Sequence, residues 1–459
     1  MHEQSELVSL HWVERLVSYK IIRVGFSGGL DSTVLLHQLA CIPELTGKLS
    51  AVHVHHGLSV NADAWQTHCE HFCGTLGVPL IVSSVKLDPS SNIEERARLA
   101  RYGVFELLSE ENDCLLLGHH CNDQAETLLL HLLRGTGIDG LAAMPEIRAL
   151  AKGKGDLIRP FLSVTRDALE HYAKAHQLQW IDDESNQNLD YSRNFIRHHV
   201  LPLMGKKWPN VVKNLAGCAN HCQAAKVNLD ALAVIDCPEL SDADFPSDIL
   251  PLDALPLHDE NRLINVLRVW LKRNNMQSPG SKLFDRLIHD VIYSKVDSIA
   301  SVSWSGVIIR RYQRRLYLLK GNMINMLENR IWSDFPASIS LSDQMHLSAE
   351  PSAHGIWIPE KSCVEVRFRQ GGEMFQWHGQ TKTLKKLLQE WGVPPWQRNR
   401  IPLIYVDNCL KTVVGFAKAS QEKPLDRKDK KFTFHLRNVT ARRVLLTLGE
   451  RSDLSSGSR

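Results

Sequence analysis

Strands and helices alternate through the first third of the chain, and this limits the fold more than any other feature. Residues 20–26, 49–55, 78–85 and 113–117 are short runs rich in aliphatic and β-branched side chains. Residues 33–40, 62–76, 92–110 and 123–134 lie between or after them and read as helices. Strands separated by helices of this length build βαβ units, whose strands run parallel. The expected class is therefore α/β with a parallel sheet. Ligands on such sheets bind beyond the carboxyl ends of the strands. Residues 27–32, 55–59 and 118–123 all fall there, which predicts one shared site.

The first of these segments reads Ser27, Gly28, Gly29, Leu30, Asp31, Ser32 and joins a strand to a helix. Two consecutive glycines let backbone N–H groups approach phosphate oxygens closely. The hydroxyls of Ser27 and Ser32 add donors, and the following helix offers its positive end. Asp31 cannot bind phosphate directly, so it is expected to hold a Mg²⁺ that bridges phosphates. The lysine of the kinase-type loop, G-x-x-x-x-G-K-[ST], is absent.

Beyond the first four strands, residues 163–176 are expected to be helical and 180–185 to return to the sheet edge. Residues 210–234 read as helix and 241–256, rich in Pro and Asp, as a linker. Helices over 261–273 and 282–294 precede hairpin strands over 302–319. Residues 348–447 read as short strands around one helix, 383–391. The polar tail after Glu450 is expected to be disordered.

A total of 459 residues exceeds one ordinary core. No apolar run approaches the roughly 20 residues of a membrane span, and the N-terminus lacks a signal-peptide pattern. A cytoplasmic chain is expected, its ten cysteines reduced. The formal net charge of +3 hides an uneven distribution. Between Lys361 and Glu450 there are 18 Lys/Arg against 8 Asp/Glu, whereas the remainder carries 36 against 43. A basic C-terminal fifth on a mildly acidic body suggests a polyanionic partner, although a solvated basic face gives the same count.

The hexapeptide at 27–32 resembles the pyrophosphatase motif of the PP-loop ATP-dependent enzymes. That resemblance implies cleavage of ATP between its α- and β-phosphates, adenylation of a substrate, and displacement of AMP by a nucleophile. Further segments narrow it to the tRNA(Ile)-lysidine synthetase family. They are HVHHGLS at 53–59, NIEERAR at 92–98 with ARY at 100–102, and GHHCNDQAET at 118–127 with RGTG at 134–137 and GLAAM at 140–144. DESN at 183–186, YSRNFIR at 191–197 and VLP at 200–202 follow. In the C-terminal part RFRQGGE at 367–373, KKLLQE at 385–390, VPPW at 393–396 and RIPLI at 400–404 resemble the same family. The middle of the chain carries the weakest resemblance.

The implied architecture is a PP-loop (adenine nucleotide α-hydrolase-like) catalytic domain over 1–215, a helical middle domain over 216–335 and a small basic α+β domain over 345–450. The implied reaction ligates free L-lysine to the wobble cytidine of the CAU anticodon of tRNA(Ile), consuming ATP with Mg²⁺. The family also points to a homodimer. ATP contacts would come from Ser27, Gly28, Gly29, Leu30, Asp31, Ser32, Gly118 and His119. Asp123, opening the fourth helix, is the candidate to hold the lysine ammonium and accept its proton, with Glu126 assisting metal or lysine. Many relatives carry two adjacent Asp residues here; this chain has Asn122 before Asp123. Arg98 and Arg101 share a helix face and suit a phosphate clamp, or surface ion pairs with Glu94 and Glu95. By resemblance Arg134 and Arg193 contact phosphate and Asn194 touches base or ribose. Arg367, Arg369, Lys385 and Arg398 are candidates for tRNA contact.

Cys69 and Cys73, one turn apart, read as packed thiols rather than metal ligands. Trp377, Trp391 and Trp396 suit either core packing or base stacking. Two other readings of the chain remain, a PP-loop tRNA thiolase and a non-catalytic RNA-binding protein. Sulfur transfer typically uses cysteine pairs, and no C-x-x-C occurs.

Overall fold

A computed structural model describes residues 7–57, 59–85, 93–241, 248–295, 300–320, 327–342, 345–419 and 430–438. The expectations for Asn92, for 242–247 of the linker and for the tail after Glu450 lie outside the described residues. The chain divides into two compact units, 1–229 and 230–459.

The first unit runs α1 (Leu10–Val17), β1 (Ile21–Gly25), α2 (Leu30–Ala40), β2 (Leu49–His55), α3 (Ala62–Leu76), β3 (Leu80–Ser84), α4 (Ile93–Leu108), β4 (Asp113–Leu116) and α5 (Cys121–Leu133). It continues through α6 (Ile138–Leu141), β5 (Ile147–Ala149), β6 (Asp156–Ile158), α7 (Arg166–Ala175), α8 (Ser192–Phe195), α9 (Leu201–Lys207) and α10 (Val211–Asp236). The sheet order is β3-β2-β1-β4-β6-β5. All neighbours pair in parallel except the edge pair β5–β6.

Alternating side chains send the core to both faces. Ala51, Cys114, Leu116 and Ile158 join Leu35, Leu39, Cys69, Cys73 and Leu169 on one face. Val52, Leu115 and Leu157 meet Phe105 of α4 on the other. Strand β4 is buried throughout, as a strand covered on both faces must be. The order reverses between β1 and β4, so the crevice beyond their carboxyl ends is a topological switch point.

Residues 180–185 do not join the sheet. Ile181 N donates instead to Gly28 O at 2.9 Å, laying this segment over the glycine loop. The acidic run Asp182, Asp183, Glu184 leaves too little apolar pattern for a strand. Strands β5 and β6 take the edge; at three residues each they are too short for periodicity to reveal.

The second unit begins with β7 (Ile249–Pro251), α11 (Glu260–Arg273), α12 (Ser281–Arg286), β8 (Ser301–Trp304), β9 (Val307–Tyr312) and β10 (Arg315–Lys320). Part of the expected linker is thus an edge strand, with Leu250 fully buried opposite Leu316. The helices pack on the antiparallel sheet β7-β10-β9-β8 through Leu263, Leu267, Trp270 and Leu287. The remainder forms small antiparallel sheets and the helix Leu384–Glu390, around two further cores that include Val366 with Ile404 and Leu387 with Leu403. No helix among the described residues is long and apolar enough to cross a membrane.

Candidate active site

The loop after β1 braces itself. Gly28 has a φ of 81°, and a Cβ there would stand 2.5 Å from the Ile181 side chain and 3.0 Å from Cys69 Sγ. Only glycine fits both the conformation and the space. Ser32 Oγ donates to Gly29 O at 3.0 Å and lies 3.1 Å from Ser27 Oγ, while Gly29 N donates to Ser27 Oγ at 3.3 Å. Thr33 Oγ1 donates to Gly28 O at 3.2 Å. The first-turn N–H groups of α2 therefore open from a rigid turn, the arrangement that binds phosphate.

The loop after β4 presses against it. A Cβ on Gly118 would meet the Asp31 backbone at 2.9 Å, so glycine permits this contact. Two residues on, His120 caps α5: Asn122 N donates to its Nδ1 at 3.2 Å, and His120 N donates to Asp123 Oδ2 at 3.0 Å. Accepting at Nδ1 places the ring proton on Nε2. That Nε2 stands 3.5 Å from both Asp31 Oδ1 and Asp123 Oδ2, too far for a good hydrogen bond to either. Burial disfavours charge on His120, but Asp123, Asp31 and Glu126 together outweigh it and raise its pKa.

Among the described residues, Asp31 Oδ1, His120 Nε2 and His56 Nδ1 are buried without a hydrogen-bond partner. A carboxylate oxygen of this kind at a phosphate loop suits a hard cation. No cluster of three or more metal-binding side chains occurs among the described residues. A single carboxylate fits Mg²⁺, which takes its other ligands from phosphate and water.

The carboxylates of α5 stand in a different environment. Arg193 donates through Nη2 to Asp123 Oδ1 at 2.7 Å and through Nε to Glu126 Oε2 at 2.8 Å. Arg197 donates through Nε to Glu126 Oε1 at 2.6 Å and through Nη2 to Glu126 Oε2 at 2.9 Å and Asp123 Oδ1 at 3.2 Å. One turn separates Asp123 from Glu126 on α5; α8 and the π-helical turn Ile196–Val200 supply the arginines. Burial alone would raise the Asp123 pKa. His120, Arg193 and His119, with the His120 N–H, reverse this and hold it well below the usual carboxylate range. So depressed a carboxylate binds cations well and accepts protons poorly. The proton-accepting role expected of Asp123 does not fit this geometry. Arg193, expected at phosphate, is committed to the two carboxylates.

Beside these groups lies an arginine wall that sequence reading found only in part. Arg98 Cζ and Arg148 Cζ lie 5.5 and 5.4 Å from the Tyr102 ring centroid. Arg159, 2% exposed, donates through Nε to His119 Nδ1 at 3.1 Å. Burial, then Arg101, pushes His56 down to about 4. His119 is pushed down to about 3 chiefly by burial; Asp123 opposes this, and Arg159, Arg193 and Arg101 add to it. His56 and His119 are neutral donors or acceptors in a positive field. Arg148, Arg159 and Arg197 were missed. Arg197 lay inside the YSRNFIR segment, whereas Arg148 and Arg159 gave no signal because β5 and β6 gave none.

Asn122 accepts from Arg166 N at 3.1 Å through its amide oxygen, so it caps α7 without needing a charge. It also lines a cavity of about 210 Å³ with His120, Glu126, Arg166, Arg197 and the apolar Leu201, Pro202, Val211 and Val212. His53 donates to Phe26 O at 3.0 Å, and His55 meets Asp63 at 3.0 Å; both brace strand ends. Cys69 and Cys73 are core thiols whose burial raises them to about 12 and about 11.

The remaining expected contacts are dispersed. Arg134 is exposed at the end of α5, and Asn194 is buried, donating to Asn188 O at 2.8 Å. In the second unit Arg367 pairs with Glu365 and stacks on Tyr405 at 4.4 Å. Arg369 donates to Asn399 Oδ1 at 3.3 Å. Arg398 donates to Val393 O at 2.9 Å and Tyr312 Oη at 3.2 Å. Trp396 packs edge-on against Tyr312 and Tyr317, so packing rather than base stacking accounts for it. Lys385 is exposed on its helix.

Family models match three stretches: a PP-loop domain over residues 3–204, a TilS substrate binding domain over 250–317 and a TilS substrate C-terminal domain over 364–430. A tRNA(Ile)-lysidine synthase of Legionella pneumophila (strain Paris) is 52% identical over 90% of this chain and 94% of its own length. A protein of that description from Coxiella burnetii is 40% identical over 89% of this chain and 91% of its own length. A third, from Pseudomonas fluorescens, is 39% identical over 86% and 88%. With the glycine loop and the GHH segment facing one crevice, and relatives aligned along nearly the whole length, the chain belongs to the tRNA(Ile)-lysidine synthase family, enzymes that use ATP to modify tRNA.

Proposed function

We propose that the chain ligates L-lysine to C2 of the wobble cytidine in the CAU anticodon of tRNA(Ile), giving lysidine and moving codon reading from AUG to AUA. ATP first adenylates the C2 oxygen and pyrophosphate leaves. The lysine ammonium gives up a proton to solvent water, the free ε-amine attacks C2, and AMP departs with that oxygen. The observation that carries this reading is the switch-point crevice, where the donor-rich glycine loop with Asp31 packs against Gly118, and the adjoining His119 accepts from Arg159.

Phosphates take the first-turn N–H groups of α2 and the hydroxyls of Ser27 and Ser32. Arg98 and Arg101 stabilise charge on the departing pyrophosphate. Asp31 would hold Mg²⁺, which supplies charge neutralisation there. His119 and the Gly118 backbone contact the nucleotide. Asp123 and Glu126 orient cationic groups: Arg193 and Arg197 before lysine arrives, and the lysine ammonium in competition with them. The cavity beside Glu126 suits the amino acid, with Glu126 for an ammonium, Arg166 and Arg197 for the α-carboxylate, and Leu201, Pro202, Val211 and Val212 for methylenes.

Residues 1–215 do the chemistry, while 216–335 and 345–450 hold the tRNA so that the cytidine can be unstacked into the crevice. Relatives' names and the absence of C-x-x-C favour lysine transfer over thiolation. A homodimer is part of this proposal, to be checked by sedimentation. Labelled lysine supplied with ATP and tRNA(Ile) transcript should enter the tRNA. Failure to enter, or incorporation of sulfur instead, overturns the reading.

A further inference from the structure

Arg159 follows β6 and is almost wholly buried at 2% exposure. Its backbone N–H donates to Glu146 O at 2.8 Å, and Nη1 donates to Pro145 O at 2.8 Å. The Tyr102 side chain is also among the groups that act on its guanidinium, and Tyr102 lies within 5.5 Å of both Arg98 and Arg148 measured at the ring centroid. What these contacts hold in place is Nε, which donates to His119 Nδ1 at 3.1 Å. A line of contacts thus runs from α4 through Tyr102 and Arg159 to the end of β4.

A guanidinium has donors and no acceptor, and it stays protonated in proteins. The nitrogen facing Arg159 Nε–H must present its lone pair. The ring proton of His119 is then on Nε2, and adding a proton at Nδ1 would set two N–H groups against each other. We propose that Arg159 is a positioning residue for adenylation, fixing His119 as a neutral imidazole whose Nε2–H is presented to the nucleotide. The proposal rests on the reading of His119 as a nucleotide contact.

Other groups facing His119 fall on both sides of this balance. Asp123 from α5 favours its protonation, whereas Arg193 from α8, Arg101 from α4 and Arg159 itself oppose it. Burial opposes it as well. Without Arg159, Asp123 would have a weaker opponent and Nδ1 would be open to a proton.

The test uses the full-length protein with ¹⁵N-labelled histidine, comparing Arg159→Met and Arg159→Gln with the parent. The parent should keep His119 in the Nε2–H form from pH 8 to pH 5. Arg159→Met should populate Nδ1–H and move the His119 titration upward, with burial, Arg193 and Arg101 still holding it below its ordinary 6.5. Its KM for ATP in tRNA-dependent pyrophosphate release should rise about tenfold, the effect of one misplaced hydrogen bond. Arg159→Gln keeps an N–H donor without the charge. It should hold the tautomer and a near-parental KM at pH 8, while its His119 titration moves upward. Where Arg159→Met does not fold, Arg159→Gln carries the test. An Arg159 that is only a strut would lower stability and leave the His119 ring signals unmoved. A His119 tautomer unchanged in folded Arg159→Met, or a His119 titration unchanged in folded Arg159→Gln, overturns the proposal. A changed tautomer with an unchanged KM for ATP overturns the nucleotide contact on which it rests, leaving the Arg159–His119 coupling intact.

Discussion

The two acidic regions of the crevice are built on opposite plans. Asp31 sits at the start of α2, about one-third exposed, with a buried oxygen that has no hydrogen-bond partner among the described residues. Asp123 and Glu126, on α5, are buried and answered by two guanidiniums. The first carboxylate is poised for a cation from outside the chain; the second pair is satisfied within it. Removing a group should therefore have different consequences. At Asp31 chemistry should fail while the fold survives; at Glu126 the fold itself should suffer.

Asp31→Asn presses hardest on this contrast. It should lower tRNA-dependent pyrophosphate release by about 10²–10³-fold, the scale of one lost electrostatic stabiliser, with the urea midpoint unchanged. A falling midpoint would mean that Asp31 is structural, like its counterparts on α5. Asp123→Ala should abolish ligation, and Asn122→Ala should not, since Asn122 caps α7 through a neutral oxygen. Loss of ligation in the Asn122 variant alone reverses that assignment.

Glu126→Gln should cost about 2–3 kcal/mol in urea unfolding. Breaking a fully buried pair costs ~3–5 kcal/mol. Arg193 and Arg197 are about a quarter exposed, so solvent recovers part of it.

Acid should sharpen the contrast further. His56 and His119 are lowered from 6.5, to about 4 and about 3. The unfolded chain takes up their protons first, so the stability tied to their neutral forms is full above pH 6.5. It is lost as pH falls through 6.5 towards those values. Asp123, also lowered, acts below its ordinary value near 3.8. Urea midpoints at pH 7.5, 6 and 5 should fall, and His56→Gln should flatten that fall. The smallest expected effect lies in the basic domain. Lys385→Glu should weaken tRNA binding a few-fold and reduce the salt slope by about one.

The sequence was most legible where function is local. The glycine loop is built from neighbours in the chain, so 27–32 could be read directly, although the packing of Ile181 and Cys69 on Gly28 could not. Strands β1, β2 and β4 were legible because buried parallel strands are rich in aliphatic and β-branched residues. The three-residue edge strands carried no such pattern, and with them Arg148 and Arg159 were hidden. The segment 180–185 was misplaced because its partner, Gly28 O, lies 153 residues away in the chain.

By itself the sequence determined the nucleotide loop, the alternating α/β order, the basic excess of the last fifth and, through its motifs, the family. It also named Asp123, Glu126 and Arg193. Tertiary structure alone decided that these three meet one another together with Arg197, and that Asp31 keeps an oxygen open. A carboxylate's chemistry depends on the charges within a few ångströms, and those come here from helices up to 74 residues away. Sequence supplies the groups. The fold decides which are neutralised and which remain for the substrate.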